Sequence, residues 1–207
     1  MEKIRRQYHV AFILLTAVCL VDFFTETLEV LVGHTGTLAQ LAAAGIFWDD
    51  GAPLLAELTY HMTVPLGHAL LAATAWRGYK GKSLTPLWEI ACGVCTFHWL
   101  WLLITHCLAA ADGVDVMWHV DVYYAVLMVA FWVLYGLSAR AVPALMHNRR
   151  LLEYVGILFK SVISVMSLVV MVELGATGTA LYVDWLLHLL ITGGLCAGLL
   201  LLGAEHE

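Results

Sequence analysis

The sequence predicts an all-α, polytopic integral membrane protein built as a bundle of six transmembrane helices. Of the 207 residues, 62% are apolar, and the mean hydropathy of +0.86 lies far above that of a soluble domain. Apolar stretches of about 20 residues, at ~1.5 Å per residue, are long enough to cross a hydrocarbon core of ~30 Å. Six such stretches nearly fill the chain, so residues 1–207 are predicted to form one domain. The stretches are 9–33, 53–76, 85–110, 117–140, 151–173 and 180–203.

The first two stretches each contain a feature that affects the helix assignment. The first follows a basic start, as a signal peptide would, but it contains Asp22, Glu26 and Glu29. A signal sequence does not tolerate such acids, so this stretch is predicted to be a retained helix. The second contains Pro65, which cannot donate a hydrogen bond to the carbonyl of His61. A bend that opens a pocket is therefore expected there.

The orientation of the helices follows from the distribution of Lys and Arg. Connections 34–52, 111–116 and 174–179 contain neither residue. The alternate connections and the amino terminus are basic, so both termini of this multi-pass protein are predicted to lie in the cytoplasm of a cell membrane. The basic residues outside the spans are Lys3, Arg5, Arg6, Arg77, Lys80, Lys82, Arg140, Arg149 and Arg150.

Ionisable residues recur inside the predicted helices at spacings that place them on one face. Glu57, His61 and His68 are four and seven residues apart, which keeps them within about 40° of one another around a helix. Asp184 and His188 repeat the four-residue spacing in the last helix. Such groups are costly in hydrocarbon and almost always face the bundle interior, paired or bound to a ligand.

Most of these residues fall in the predicted outer half of the membrane, which favours a shared polar site over isolated hydrogen bonds between helices. Carboxylate and imidazole groups four residues apart can reach one ion. The candidate metal ligands are Glu57, His61, His106, His119, Asp184 and His188. The candidates for an ion pathway or for orienting the ligands are Asp22, Glu26, Glu29, His68, His98, Asp121, Lys160 and Glu173.

Three functions use these residues. The first hypothesis is a membrane metalloprotein of redox or oxygenase type with Cu, Zn, Fe or Mn, which imidazole and carboxylate ligands all suit. The second is a transporter or channel for protons or divalent metal ions, in which the polar line would continue to Glu89 and Glu153. The third is a b-type cytochrome, with His61 or His68 opposite His98 or His106. The predicted partners are the lipid bilayer and other membrane subunits. Binding to nucleic acid is not predicted.

Four short motifs resemble the C subunit of the copper-dependent membrane monooxygenases that oxidise methane or ammonia. They are "VDFFTE", "VPLGH", "GVCTFHW" and "MWHVD", in the first four predicted helices. The resemblance implies copper bound near the outer membrane face and a subunit that works with two others. It implicates His61, His98 and His119, with Glu57 standing where the family has aspartate. Copper is favoured on this ground.

Overall fold

The computed structural model describes residues 2–35, 61–111, 118–137 and 179–203, together with the single positions 158 and 162. Every regular element in these ranges is helical, which confirms the all-α class for them. Each helix overlaps one predicted apolar stretch, and the stretch 151–173 lies outside the described residues except at 158 and 162. The helices are α1 (Glu2–Thr35), α2 (Thr63–Tyr79), α3 (Thr85–Ala111), α4 (Trp118–Leu137) and α5 (Thr179–Gly203).

Local sequence explains both ends of α2. His61 is helical, Met62 is a turn, and α2 begins at Thr63, so the helix is interrupted beside the carbonyl to which Pro65 cannot donate. At the other end, the amide of Gly81 donates to Gly78 and that of Lys82 donates to Arg77. This is a Schellman motif, and Gly81 has the positive φ of 69° that the motif requires.

The helices pack as antiparallel neighbours in the order α5, α1, α2, α3, α4. Glycine brings several of these pairs close together. A Cβ on Gly78 of α2 would lie 2.8 Å from the Tyr8 ring of α1, and one on Gly67 would lie 2.5 Å from Cys95 Sγ of α3. Small residues at such crossings let helix backbones approach, as in membrane bundles. The close crossings fix which residues of neighbouring helices lie at one level.

The contact between α5 and α1 uses two glycines four residues apart. A Cβ on Gly194 or Gly198 would lie 2.6 Å from Val18 Cγ2 or Leu15 Cδ2, respectively. This G-x-x-x-G spacing is a sequence signal for close helix pairing in a membrane. The two helices therefore pack through a glycine groove on α5.

An apolar half of the bundle surrounds the start of α3. Trp88 is 1% exposed, stacks on Tyr135 of α4 at 4.9 Å between ring centroids, and donates from Nε1 to the Tyr135 carbonyl. The Tyr135 hydroxyl donates to the Leu199 carbonyl of α5 at 3.0 Å. These two hydrogen bonds satisfy buried polar groups and join three helices.

The outward faces of the helices are apolar. Phe24, Ile90 and Leu190 are 68%, 56% and 61% exposed, whereas Asp22 and His68 are only 5% and 3% exposed. Within the described ranges, two segments are long and apolar enough to cross a membrane, Glu2–Thr27 and Thr85–Ile104. Shorter apolar helices cover Ala125–Leu137 and Leu189–Gly203. Large apolar side chains are therefore exposed on several of the described helices.

Candidate functional site

Two pairs of a carboxylate and an imidazole join α1 to the start of α2. Glu26 Oε2 contacts His61 Nδ1, with both side chains largely buried. Asp22 Oδ2 lies 3.0 Å from His68 Nδ1. The carboxylates are four residues apart on α1, whereas the histidines are seven apart, with His61 just before the start of α2 and His68 within it. Asp22, Glu26 and Glu29 are predicted to face the bundle interior; Asp22 is buried and Glu26 is partly buried against His61, as expected, and the side chain of Glu29 lies outside the described part.

The deeper pair, Asp22 and His68, is buried almost completely. The side chains are 7% and 4% exposed. Their distance is that of an ion pair, but its angles are not those of a hydrogen bond, and neither Asp22 Oδ2 nor His68 Nδ1 has a hydrogen-bond partner among the described residues. Buried polar atoms without a hydrogen bond are costly and are most often retained where a site uses them.

A third histidine, His98 of α3, lies on the opposite side of α2. It is 8% exposed, and its Nδ1 shares a hydrogen bond of 2.9 Å with Thr63 Oγ1. Thr63 was not among the candidates predicted from the sequence. In the sequence, the feature that could have indicated its contact with α3 is its position two residues after His61, which turns it to the other side of the helix. Each of the three histidines thus has Nδ1 next to an oxygen atom of a neighbouring helix, although for His68 the contact is not a hydrogen bond.

The remaining candidates divide into two groups. His106, His119, Asp121, Asp184 and His188 lie on described helices, and Glu29 lies on α1, but their side chains are outside the described part. Glu57, Lys160 and Glu173 lie outside the described residues altogether. Their roles stay predictions.

The antiparallel packing nevertheless places the backbone of several candidates at one end of the bundle. Gly194 lies against Val18 and Gly198 lies against Leu15. Continuing this register up α5 at an equal rise per residue brings Asp184 to the level of about residue 28 and His188 to the level of about residue 24 of α1. Glu26 lies between these levels. On this register, the α5 backbone between Asp184 and His188 reaches the level of the Glu26–His61 pair.

The donors at this pair are suited to a metal ion, but the described residues do not complete a ligand set. Imidazole nitrogen and carboxylate oxygen bind Zn, Cu, Fe and Mn. Among the side chains that the structure describes, no three of His, Cys, Asp and Glu converge on a point that could hold an ion. Any further ligand would have to come from the candidates whose side chains are not described.

From Asp22 and His68 towards the amino terminus of α1, the described contacts between α1 and α2 are mostly apolar, with exceptions such as the Cys19 thiol, which donates to the Pro65 carbonyl at 3.3 Å, and Arg5 at the far end. Towards the amino terminus of α1, the described core between these helices includes Tyr8, Ala11, Leu15, Leu71 and Ala75, each at most 2% exposed. This apolar packing occupies about two turns of α1. In the described part of this interface, the polar site is therefore closed on one side.

The cysteines of "CGVCTFH" lie at helix contacts. A Cβ on Gly136 of α4 would be 2.9 Å from Cys92 Cβ, and Cys95 lies against Gly67 of α2. Both thiols are buried. Their position supports a packing role, with small side chains filling the space opposite glycine.

Comparison with known proteins adds no relative to this description. No family model, no curated protein and no solved structure matches the chain. The likeness to the monooxygenase C subunit rests on the four sequence motifs alone.

Proposed function

We propose that this chain is a multi-pass integral membrane protein that holds a transition-metal ion in one half of its helix bundle, beside Glu26 and His61. The observation that carries the proposal is the contact of the Glu26 carboxylate on α1 with Nδ1 of His61, just before α2. By the α5–α1 register, Asp184 and His188 of α5 lie at about the same level of the bundle. The predicted redox or oxygenase type of activity belongs to the same proposal.

The distribution of apolar residues supports the membrane part of the proposal. Only 22% of the apolar window in Glu2–Thr27 and 28% of that in Thr85–Ile104 is buried, which supports a place in lipid over a place in the core of a soluble fold. Soluble helices at this hydropathy would bury most of that window, whereas these faces are exposed. Contact with lipid accounts for them.

The helix directions support a sixth span. Gly136, near the end of α4, packs against Cys92 near the start of α3, and α5 runs antiparallel to α1. Leu137 and Thr179 consequently lie at opposite ends of the bundle. A sixth span over the apolar stretch predicted at 151–173 would join these two ends in the proposed bundle. The basic residues of α1 and of the α2–α3 turn meet at one end, as a cytoplasmic face would require.

The Glu26–His61 contact is the arrangement expected around a metal-binding histidine. A carboxylate that accepts the Nδ1 proton fixes the ring and directs Nε2 toward the ion. In this proposal His61 is a ligand and Glu26 orients it, while Glu57, His106, His119, Asp184 and His188 supply the remaining donors. The bound ion would supply Lewis-acid or redox chemistry, and the sequence resemblance favours copper.

The transporter hypothesis has less support from the described residues. It needs a polar line from His61 to the opposite end of the bundle. Asp22 and His68 extend that line inward, but the described α1–α2 interface beyond them is apolar from Leu15 to Tyr8. A site closed on one side fits an ion that stays bound better than one that passes through.

Elemental analysis of the full chain, purified in detergent, tests the proposal. We expect about one Cu, Zn, Fe or Mn ion per chain and its loss in His61→Ala. His9→Ala is the matched control, because His9 lies at the other end of the bundle, where its ring packs on Tyr79 at 5.2 Å. The control should retain the ion.

Two results would contradict the proposal. One is wild-type protein without any of these metals after purification in buffers that contain them. The other is equal metal content in His61→Ala and His9→Ala. A reduced-minus-oxidised visible spectrum on the same sample separates the cytochrome hypothesis, because haem shifts the Soret band and the proposed site would not.

A further inference from the structure

Six cations meet at one end of α1 and α2, which we call the basic end. Lys3, Arg5 and Arg6 lie on the first turns of α1, and Arg77, Lys80 and Lys82 lie on the last turn of α2 and the turn that follows it. All are exposed except Arg77, which is half-buried. None is paired with a carboxylate of the part of the chain that the structure describes.

Three of these cations are fixed in place by contacts to backbone and aromatic rings. Arg5 donates from Nε to the Tyr79 carbonyl at 3.3 Å, and its guanidinium lies 5.5 Å from the centre of the Tyr79 ring. Lys80 Nζ lies 4.6 Å from the centre of the Trp76 ring. Arg77 donates from Nε to the Ser83 carbonyl at 3.0 Å. These contacts leave the terminal nitrogens of both arginines as donors for an anion.

The aromatic side chains also indicate the depth of this end in a membrane. Trp76 is 39% exposed and packs on Phe12 and Tyr79, with ring centroids 5.0 Å and 5.3 Å away. Exposed Trp with Tyr at the end of an apolar helix is typical of the lipid headgroup level. A cluster of cations beside such a belt lies where lipid phosphates are.

We infer that Arg5, Arg77 and Lys80 form a binding site for the headgroup of an anionic phospholipid at the α1–α2 end. The guanidinium groups of Arg5 and Arg77, held by their backbone contacts, bind the phosphate. The exposed face of Trp76 lies against the upper part of the acyl chain. Lys3, Arg6 and Lys82 add a general attraction to anionic lipid. This inference rests on the membrane part of the proposed function and not on its metal part.

Native mass spectrometry of the full chain in detergent tests the site, with dioleoyl phosphatidylglycerol and dioleoyl phosphatidylcholine as competing probes. We expect phosphatidylglycerol to bind preferentially. Arg5→Gln with Lys80→Gln should reduce that preference about tenfold or more, since it removes direct charge-assisted contacts with the phosphate, each worth about tenfold, which Lys3 and Arg6 do not make in this proposal. Lys3→Gln with Arg6→Gln removes the same charge and should reduce it less than threefold. Arg5→Lys with Lys80→Arg keeps the charge and should retain most of the preference.

Three outcomes would overturn the inference: no preference for phosphatidylglycerol in the wild type, equal losses in the two charge-removing variants, or displacement of the lipid by millimolar inorganic phosphate. The first two outcomes contradict a specific binding site at Arg5, Arg77 and Lys80. The third contradicts a lipid as the ligand of that site. Because the readout is lipid mass, it does not depend on the metal. A protein that needs no detergent would contradict the membrane proposal itself, which separates that failure from failure of the lipid site.

Discussion

The interface between α1 and α2 has two halves of opposite chemistry. In one half, Tyr8, Ala11 and Leu15 pack on Leu71 and Ala75 with almost no exposure. In the other half, Asp22 and Glu26 of α1 meet two histidines from the start of α2. The same two helices could have been joined by apolar contacts throughout. The polar half is therefore not explained by helix packing, whereas the apolar half is.

The largest expected effect comes from breaking the deeper pair of the polar half. His68→Leu leaves the buried Asp22 without its partner and should lower the free energy of unfolding by about 3–5 kcal/mol. The double variant Asp22→Leu with His68→Leu should recover most of that loss, because no buried polar group is left unpaired. Denaturation in detergent measures both values.

His9→Leu is the matched control for this cycle, since His9 is exposed at the basic end. It should change the unfolding free energy by less than about 0.5 kcal/mol. A double variant as unstable as the single His68 variant would show that the pair stabilises the fold. Helix packing would then explain the polar half of the interface as well as the apolar half, contrary to this account.

In the apolar half, stability depends on close helix approach. Gly194→Ala would place a Cβ 2.6 Å from Val18 Cγ2, so we expect a loss of about 1–3 kcal/mol. The adjacent Gly193→Ala meets no atom within 4 Å and should stabilise the protein by up to about 1 kcal/mol through helix propensity. Thermal unfolding of the two variants in one detergent compares them directly. Equal midpoints would contradict the observed packing of α5 on α1.

A smaller effect is expected at the hydrogen bond that joins α4 to α5. Tyr135→Phe removes the donor to the Leu199 carbonyl and should cost about 1 kcal/mol. Tyr123→Phe removes a hydroxyl from a side chain that is 71% exposed and should have almost no effect on stability. If both variants unfold at the same temperature, the buried hydrogen bond between Tyr135 and the Leu199 carbonyl does not contribute to stability.

The positions of the helices could be predicted from the sequence better than the side-chain contacts between them. Hydropathy placed α3, α4 and α5 to within a few residues, because the length of an apolar run is a local property. The contact of Glu26 with His61 could not be derived from spacing, which reports only the residues that share a face of one helix. It depends on the register between helices.

That register is set by residues whose role was not recognised in the sequence. Gly78 receives the Tyr8 ring, and Gly194 with Gly198 receives Val18 and Leu15. The G-x-x-x-G spacing on α5 could have predicted a close helix contact, although not which helix it binds. The position of Thr63 opposite His98 follows only once the α2–α3 crossing at Gly67 is known.

The most direct test of the central claim compares the two carboxylate–histidine pairs themselves. Metal content per chain is measured for wild type, His61→Gln and His68→Gln, all purified in detergent and checked for retained helix content. The account predicts that His61→Gln loses the ion, whereas His68→Gln retains it, because the Glu26–His61 pair lies between the levels of Asp184 and His188, whereas the Asp22–His68 pair lies below both. Retention of the ion in His61→Gln, or its equal loss in both variants, would contradict a metal site beside Glu26 and His61.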